Sequence, residues 1–383
     1  MAEYKKTGKC KALVVTGCMA QRYKEEITQE IPEVDAVLGT TSYGDIVKAL
    51  NEVQAGHVFQ EFRDINELPE DSGRRVLTTG GHFGYLKIAE GCDKHCTYCI
   101  IPSLRGSFRS VPEERLLAQA EYMASQGVKE LILVAQETTV YGTDLYGRKT
   151  LHILLKKLCQ IRGIRWIRVL YCYPEEIYDE LIQVMKEEKK ICNYLDLPIQ
   201  HASDRILKRM GRRTTRKQLT DIITKLRREI PDIVLRTSLI TGFPGETQED
   251  HEELMEFVDE MEFDRLGVFT YSPEEGTPAE SMEGQVPEEV KEERRDEIMS
   301  LQQEISLEKG SERIGQELLV MIEGKVSGES AYIGRTYADA PKVDGYLFVQ
   351  TGELLVTGDF ARVCVTGALE YDLIGELADE YTE

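Results

Sequence analysis

Between Gly84 and Arg313 the sequence repeats one pattern: an apolar run of strand length, then an amphipathic stretch of helical period. The runs are YLKIAEG (85–91), KELILVA (129–135), RWIRVLY (165–171), CNYLDLPI (192–199), DIVLRTSLITG (232–242) and FDRLGVFTYS (263–272). Helical segments such as VPEERLLAQAEYMASQG, TRKQLTDIITKLRREI and TQEDHEELMEFVDEM stand between them. Six strands with intervening helices are what a parallel sheet requires when it wraps as a barrel or part of one. The predicted fold is therefore α/β, a partial (β/α)6 barrel. The charged helical run at 286–314 then leaves this series and reads as a solvated face.

Three other regions flank that core. Residues 1–60 start with KALVVTG, the amphipathic QRYKEEITQEI and a second strand, DAVLG, an α/β fragment with little core of its own. Residues 61–77 hold the polar EFRDINELPEDSGRR and read as a linker. The core is expected over 78–313. From 314 to 380 five short strand patterns with glycine turns (QELLVMIEG, YIGRTY, GYLFVQ, ELLVTGDFARVCVTGAL, YDLIGEL) predict a small all-β barrel of the oligonucleotide-binding type.

After the first core strand comes GCDKHCTYCIIPSLRG (91–106), with Cys92, Cys96 and Cys99 spaced C-x3-C-x2-C. Loops after strand C-termini form the reactive face of a parallel barrel. Three thiolates on one loop can hold three corners of a [4Fe–4S] cube and leave one iron without a protein ligand. Zinc fits less well, since it wants a fourth ligand and His95 lies inside the loop. Other polar groups fall at or near strand ends: Gln136 and Glu137, Gln200 and His201, and Arg236 before the glycine loop TGFPGET (241–247). They either meet a cofactor there or cap loops. That glycine loop lacks the Lys-Ser/Thr of a phosphate-binding loop. Arg105 and Arg109 either bind a carboxylate or substrate, or pair with acids.

Composition excludes several classes. The 383 residues are 41% hydrophobic and 30% charged, as in a globular protein, and the apolar runs are too short to span a membrane. Nine cysteines with no export signal read as reduced thiols in the cytoplasm. Cys159, Cys172, Cys192 and Cys364 fall in helix or strand patterns and read as packing residues. The formal net charge of −21 disfavours a nucleic-acid backbone and favours a basic protein partner. The last 70 residues concentrate it, with thirteen Asp and Glu against four Lys and Arg.

With Tyr98 ahead of Cys99, the loop resembles the signature of the radical S-adenosylmethionine superfamily, C-x3-C-x-aromatic-C. The resemblance implies a cluster on Cys92, Cys96 and Cys99 whose open iron chelates S-adenosylmethionine, which one electron cleaves to methionine and a 5′-deoxyadenosyl radical. Tyr98, Gln136, Glu137, Gln200, His201 and Arg236 are its candidate cofactor contacts. The wider resemblance, through VVTGCMAQRY (14–23), the cysteine loop and residues 314–380, is to the methylthiotransferases, whose C-terminal domain is called TRAM. These enzymes replace C–H with C–SCH3, with sulfur passing through an auxiliary [4Fe–4S] cluster. RTYADAPKVDGYLFV (335–349) is similar to the branch acting on an aspartate β-carbon of ribosomal protein uS12. The resemblance implies uS12 as substrate and a flavodoxin- or ferredoxin-type reductant; the acidic charge of residues 314–380 reads as a dock for that basic protein and disfavours tRNA.

Cys18 matches the last of the family's three auxiliary-cluster cysteines. The other two would lie upstream of Met1, so the chain reads as N-terminally truncated, with one stable cluster and impaired sulfur insertion expected. The alternatives are a tRNA-adenosine methylthiotransferase and a ribosome-binding homologue that cannot complete turnover.

Overall fold

The computed structural model describes residues 1–69 and 75–382, with the backbone alone for 379–382. Part of the expected linker, 70–74, lies outside the described residues. The chain divides into two compact units, Met1–Val76 with Ala89–His95 and Cys99–Val111, and Leu77–Ile88 with Cys96–Tyr98 and Pro112–Glu383.

The first unit is built on three parallel strands, β1 (Val14–Thr16), β2 (Ala36–Leu38) and β3 (Phe59–Glu61), in that spatial order. Central β2 is buried on both faces. Val37 packs with Ala20, Ile27 and Val34, while Ala36 and Leu38 pack with Ala49, the alternation a pleated strand imposes. β3 was not expected from the sequence, being three residues long amid polar neighbours. The helix expected over 21–31 is two, Cys18–Tyr23 and Glu25–Glu30, broken where Lys24 takes φ 40°.

The start of the expected linker is packed structure. Phe62 joins the Val37 cluster, the Arg63 N–H donates to Ser42 Oγ at 2.9 Å, and Asn66 Oδ1 accepts the Ser107 N–H at 3.0 Å. One aromatic side chain in an apolar cluster outweighs the polar residues around it.

The chain next forms β4 (Phe83–Lys87), which belongs to the second unit. It then enters an antiparallel hairpin, β5 (Ala89–Glu90) with β6 (Arg109–Ser110), which belongs to the first. The helix Ile101–Arg105 inside this hairpin is tied to the small sheet by the Thr40 hydroxyl, which donates to the Leu104 carbonyl at 2.9 Å. Compactness therefore divides the chain within the cysteine loop as well as at Val76, beside the boundary expected at 77.

The second unit holds a six-stranded sheet, all parallel and in sequence order: β4, β7 (Glu130–Val134), β8 (Trp166–Val169), β9 (Ile191–Asp196), β10 (Val234–Thr241) and β11 (Arg265–Thr270). Each crossover carries a helix or helices, with amphipathic faces against the sheet. In Arg216–Glu229, for example, Leu219, Ile223 and Leu226 are buried. The helix Glu288–Ser311 does not leave the core as expected. It buries Ile298 and Ile305 and lies against β11, and two of its buried side chains donate to distant carbonyls. Lys291 Nζ donates to the Tyr271 carbonyl at 2.8 Å, and Gln302 Nε2 to the Phe263 carbonyl at 2.8 Å. Long side chains such as these bury their stems while their polar heads are satisfied, so a charged sequence need not mean a solvated face.

The five C-terminal strands, β12 (Glu317–Lys325), β13 (Ala331–Arg335), β14 (Leu347–Gln350), β15 (Phe360–Ala368) and β16 (Leu373–Thr382), close a barrel in the order β12-β13-β14-β16-β15. Val320, Ile322, Leu347, Val349, Val363 and Val365 fill it. A second apolar cluster joins Met321, Ala338 and Phe360 to Phe83, Trp166 and Tyr194 of the parallel sheet. Glu130, the first residue of β7, sits at the same seam, wholly buried between Arg168 Nε at 2.8 Å and Arg335 Nη2 at 2.7 Å. The barrel thus covers the end of the sheet where these strands begin, and leaves the other end to the loops.

Candidate active site

The loops that follow β4 and β7–β10 carry nearly all the polar residues singled out above. In the first unit, Gly91 opens the cysteine loop at φ 78°, and a Cβ there would stand 2.1 Å from the Ser107 carbonyl oxygen. Only glycine fits that close approach. Cys92 follows, buried, with its N–H donating to the Gly106 carbonyl at 3.2 Å. His95 takes φ 52°, which turns the chain in the middle of the loop.

Arg105, left open between carboxylate binding and ion pairing, does the latter in part. It bonds the buried Glu90 at 3.3 Å and also donates Nε and Nη2 to Cys18 Sγ at 3.2 and 3.1 Å. Arg109 donates Nη2 to the Arg105 carbonyl at 3.0 Å.

In the second unit, the segment Cys96–Tyr98 is clamped by its middle residue. The Thr97 N–H donates to the Met210 carbonyl, its hydroxyl to the Arg209 carbonyl, and its carbonyl accepts the Ala279 N–H, each at 2.9 Å. Tyr98 stands edge-on to Phe243, 6.2 Å between centroids, beside a cluster of Ile206, Met210, Tyr271 and Ala279. Cys96 is buried, and its Sγ lies 3.7 Å from the phenol oxygen of Tyr173.

Glu137 follows β7 and is buried. Its Oε1 accepts the Thr139 N–H at 2.9 Å and the Thr139 hydroxyl, and that hydroxyl in turn accepts the Tyr173 N–H at 3.1 Å. Gln136 is partly exposed beside it. Gln200 has φ 71°, yet its backbone bonds Ser238 and Ile240, continuing the sheet beyond β9. Tyr171, after β8, has φ 59°. Left-handed backbone at a non-glycine residue costs on the order of 1–3 kcal/mol and gathers at working sites. Here two such residues follow neighbouring strands.

Two further expected contacts have protein partners. His201 is wholly buried; its Nδ1 accepts the Ser203 N–H at 3.0 Å, and its Nε2 is 3.7 Å from Glu246, which Arg294 pairs at 3.0 Å. It anchors the loop. Arg236 is not at a strand end but five residues before the end of β10, bonded to Asp196 at 2.6 Å and 3.6 Å from Asp344 of the C-terminal barrel. Arg236 lies on the strand DIVLRTSLITG as expected, and β10 runs on to Thr241.

Sequence reading missed Tyr173 and Arg212. The guanidinium of Arg212 lies over the Tyr173 ring, 4.3 Å from its centroid. A buried arginine in MGRRTT gives no local signal; YCYP directly after a strand was the available one.

Models of known families match three stretches: the radical SAM superfamily over residues 86–258, the TRAM domain over 314–378, and the uncharacterized protein family UPF0004 over 1–39. The ribosomal protein uS12 methylthiotransferase RimO of Lachnoclostridium phytofermentans is 62% identical over 98% of this chain and 85% of its own length. The chain belongs to the RimO family. RimO of Clostridium perfringens is 50% identical over 99% of this chain and 85% of its own, and RimO of Clostridium botulinum (strain Langeland) 49% identical over 100% and 86%. Among solved structures, the cobalamin-dependent S-adenosylmethionine radical enzyme OxsB covers 79% of this chain and 44% of its own at 16% identity and a TM-score of 0.49.

The superfamily's cofactors are a [4Fe–4S] cluster and S-adenosylmethionine, and the donor set fits the cluster in kind. Cys92, Cys96 and Cys99 are free thiols on one loop, in no disulfide. Among the described residues no three His, Cys, Asp or Glu side chains are gathered closely enough to form a metal-binding group. The fit is therefore one of donor chemistry and loop position. No helix of the described residues is long and apolar enough to cross a membrane.

Proposed function

We propose that this chain methylthiolates the β-carbon of an aspartate in ribosomal protein uS12, using S-adenosylmethionine and iron–sulfur chemistry. The observation that carries the reading is the 62% identity to a uS12 methylthiotransferase over 98% of the chain. When bound, the cluster and S-adenosylmethionine supply a radical able to take hydrogen from an unactivated carbon.

The residues divide the remaining work. Cys92, Cys96 and Cys99 are the thiols that would hold the radical cluster. Gly91 and Thr97 set the loop on which they stand, by close backbone approach and by backbone clamp respectively. Tyr98, Phe243 and Tyr271 form an aromatic wall, edge against face, that excludes water from a reactive centre. Gln136, Glu137 and Gln200 line the loops where polar groups of S-adenosylmethionine would be met. Cys18 is the position this chain offers to an auxiliary cluster, with two Arg105 N–H groups already directed at its sulfur.

The acidic C-terminal barrel is the docking surface for the basic substrate protein. Thirteen Asp and Glu against four Lys and Arg over the last 70 residues give it the sign that attracts a basic partner. Electrons come from a low-potential flavodoxin- or ferredoxin-type protein, and the work is done in the cytoplasm.

The test is mass analysis after anaerobic incubation with uS12 or with tRNA, S-adenosylmethionine, sulfide and a reductant. A methylthio group gained on uS12, and absent with Cys92→Ala, is the expected result. Modification of tRNA with uS12 untouched would sink the reading.

A further inference from the structure

The contact between Cys96 and Tyr173 is held from both sides. Cys96 is fixed through Thr97, whose three backbone and hydroxyl bonds reach Arg209, Met210 and Ala279. Tyr173 is fixed through its N–H on Thr139 Oγ1 at 3.1 Å and through its ring beneath the Arg212 guanidinium. Arg212 is itself buried, donates Nη2 to the Pro198 carbonyl at 3.0 Å and lies 3.7 Å from Glu175. Six segments of chain thus converge to hold one phenol oxygen 3.7 Å from one sulfur.

A cysteine ligating iron is a thiolate and carries no proton, so in that state the phenol O–H is the donor and the sulfur the acceptor. Adding one electron to a cluster adds one negative charge, shared with its ligand sulfurs. A hydrogen bond to such a sulfur stabilises the reduced state more than the oxidised one, and so does a buried cation nearby.

We propose that Tyr173, braced by Arg212, is a positioning residue that raises the reduction potential of the radical cluster by donating a hydrogen bond to Cys96 Sγ. The proposal rests on the assignment of Cys96 to that cluster, and it adds a task no motif in the loop announces: setting how readily the cluster accepts its electron. The electron comes from the external reductant and no proton moves, since the phenol O–H stays bonded throughout.

The experiment is an EPR-monitored redox titration, with dithionite as reductant, of the anaerobically reconstituted full chain. The signal followed is the one that Cys92→Ala removes. Tyr173→Phe keeps the ring and its stacking on Arg212 and removes only the hydroxyl. Its midpoint potential is expected to shift negative with iron per chain unchanged, and Arg212→Gln is expected to shift it the same way. Identical midpoints in wild type and both variants, each carrying the full complement of iron, would overturn the proposal while leaving the cluster assignment standing. Absence of any Cys92-dependent signal from the wild type would overturn both.

Discussion

Asp250 shows how a single carboxylate secures a site loop. Burial alone would raise its pKa, but Arg205, the Thr247 N–H and hydroxyl, and the Ser203 hydroxyl at 2.7 Å outweigh that and hold it at about 2. Through Ser203 it braces the loop after β9, and through Thr247 it closes the capping box of the helix Gln248–Met261. Because the folded pKa lies below the ordinary 3.8, the stabilisation is complete above about pH 4 and is lost as pH falls toward about 2. Arg205 is half exposed, so solvent screening brings the contribution down to about 1 kcal/mol. Asp250→Asn is accordingly expected to lower stability by that amount at pH 7 in urea denaturation. The gap to wild type should narrow by about half at pH 3.

At the scale of elements, the cysteine loop depends on the turn that opens it. Gly91 combines φ 78° with carbonyl oxygens of Gly106 and Ser107 where a side chain would go, and those carbonyls belong to the backbone of the facing hairpin arm. Backbone cannot swing aside as a side chain can. Gly91→Ala should therefore displace the loop at its entry, at a cost of about 1–3 kcal/mol. The expected outcome is fewer irons retained per chain after reconstitution and gel filtration, with the far-ultraviolet spectrum of the rest of the molecule unchanged. At Gly127, by contrast, a Cβ would meet nothing within 4 Å beyond its own chain neighbours, so the strain of a substitution there is conformational alone.

For the molecule as a whole, the C-terminal barrel and the parallel sheet share a buried polar seam inside one compact unit. Burial would raise the pKa of Glu130, but Arg335 and Arg168 together push it below its usual range, so it stays ionised with both arginines wholly buried. The seam continues from Arg335 to Glu323 at 2.6 Å and from Glu323 to His82 at 3.0 Å. Removing the shared anion leaves two buried guanidinium groups without their common partner. Glu130→Gln should destabilise by about 3–5 kcal/mol, read as a lower urea midpoint for the second unit. Such a seam holds the C-terminal barrel fixed against the parallel sheet within the second unit.

The parallel sheet was legible because each of its strands is a continuous apolar run long enough to show a period, and the cysteine loop because three thiols at fixed spacing have few uses. β3 was not legible: three residues carry no period, and only their place beside β2 makes them a strand. The packing of the helix Glu288–Ser311 was hidden for a related reason, since Lys291, Arg294 and Gln302 are buried by partners far away in sequence. Local pattern by itself determined the fold class, the presence of three thiols on one loop and the sign of the net charge, because these depend on residue type and spacing along the chain. Tertiary structure alone decided that Arg236 pairs with Asp196, that His201 accepts from the Ser203 N–H, and that a phenol and a guanidinium stand behind Cys96. Those contacts join residues tens of positions apart, and no spacing along the chain encodes which distant groups a fold will bring within reach of one another.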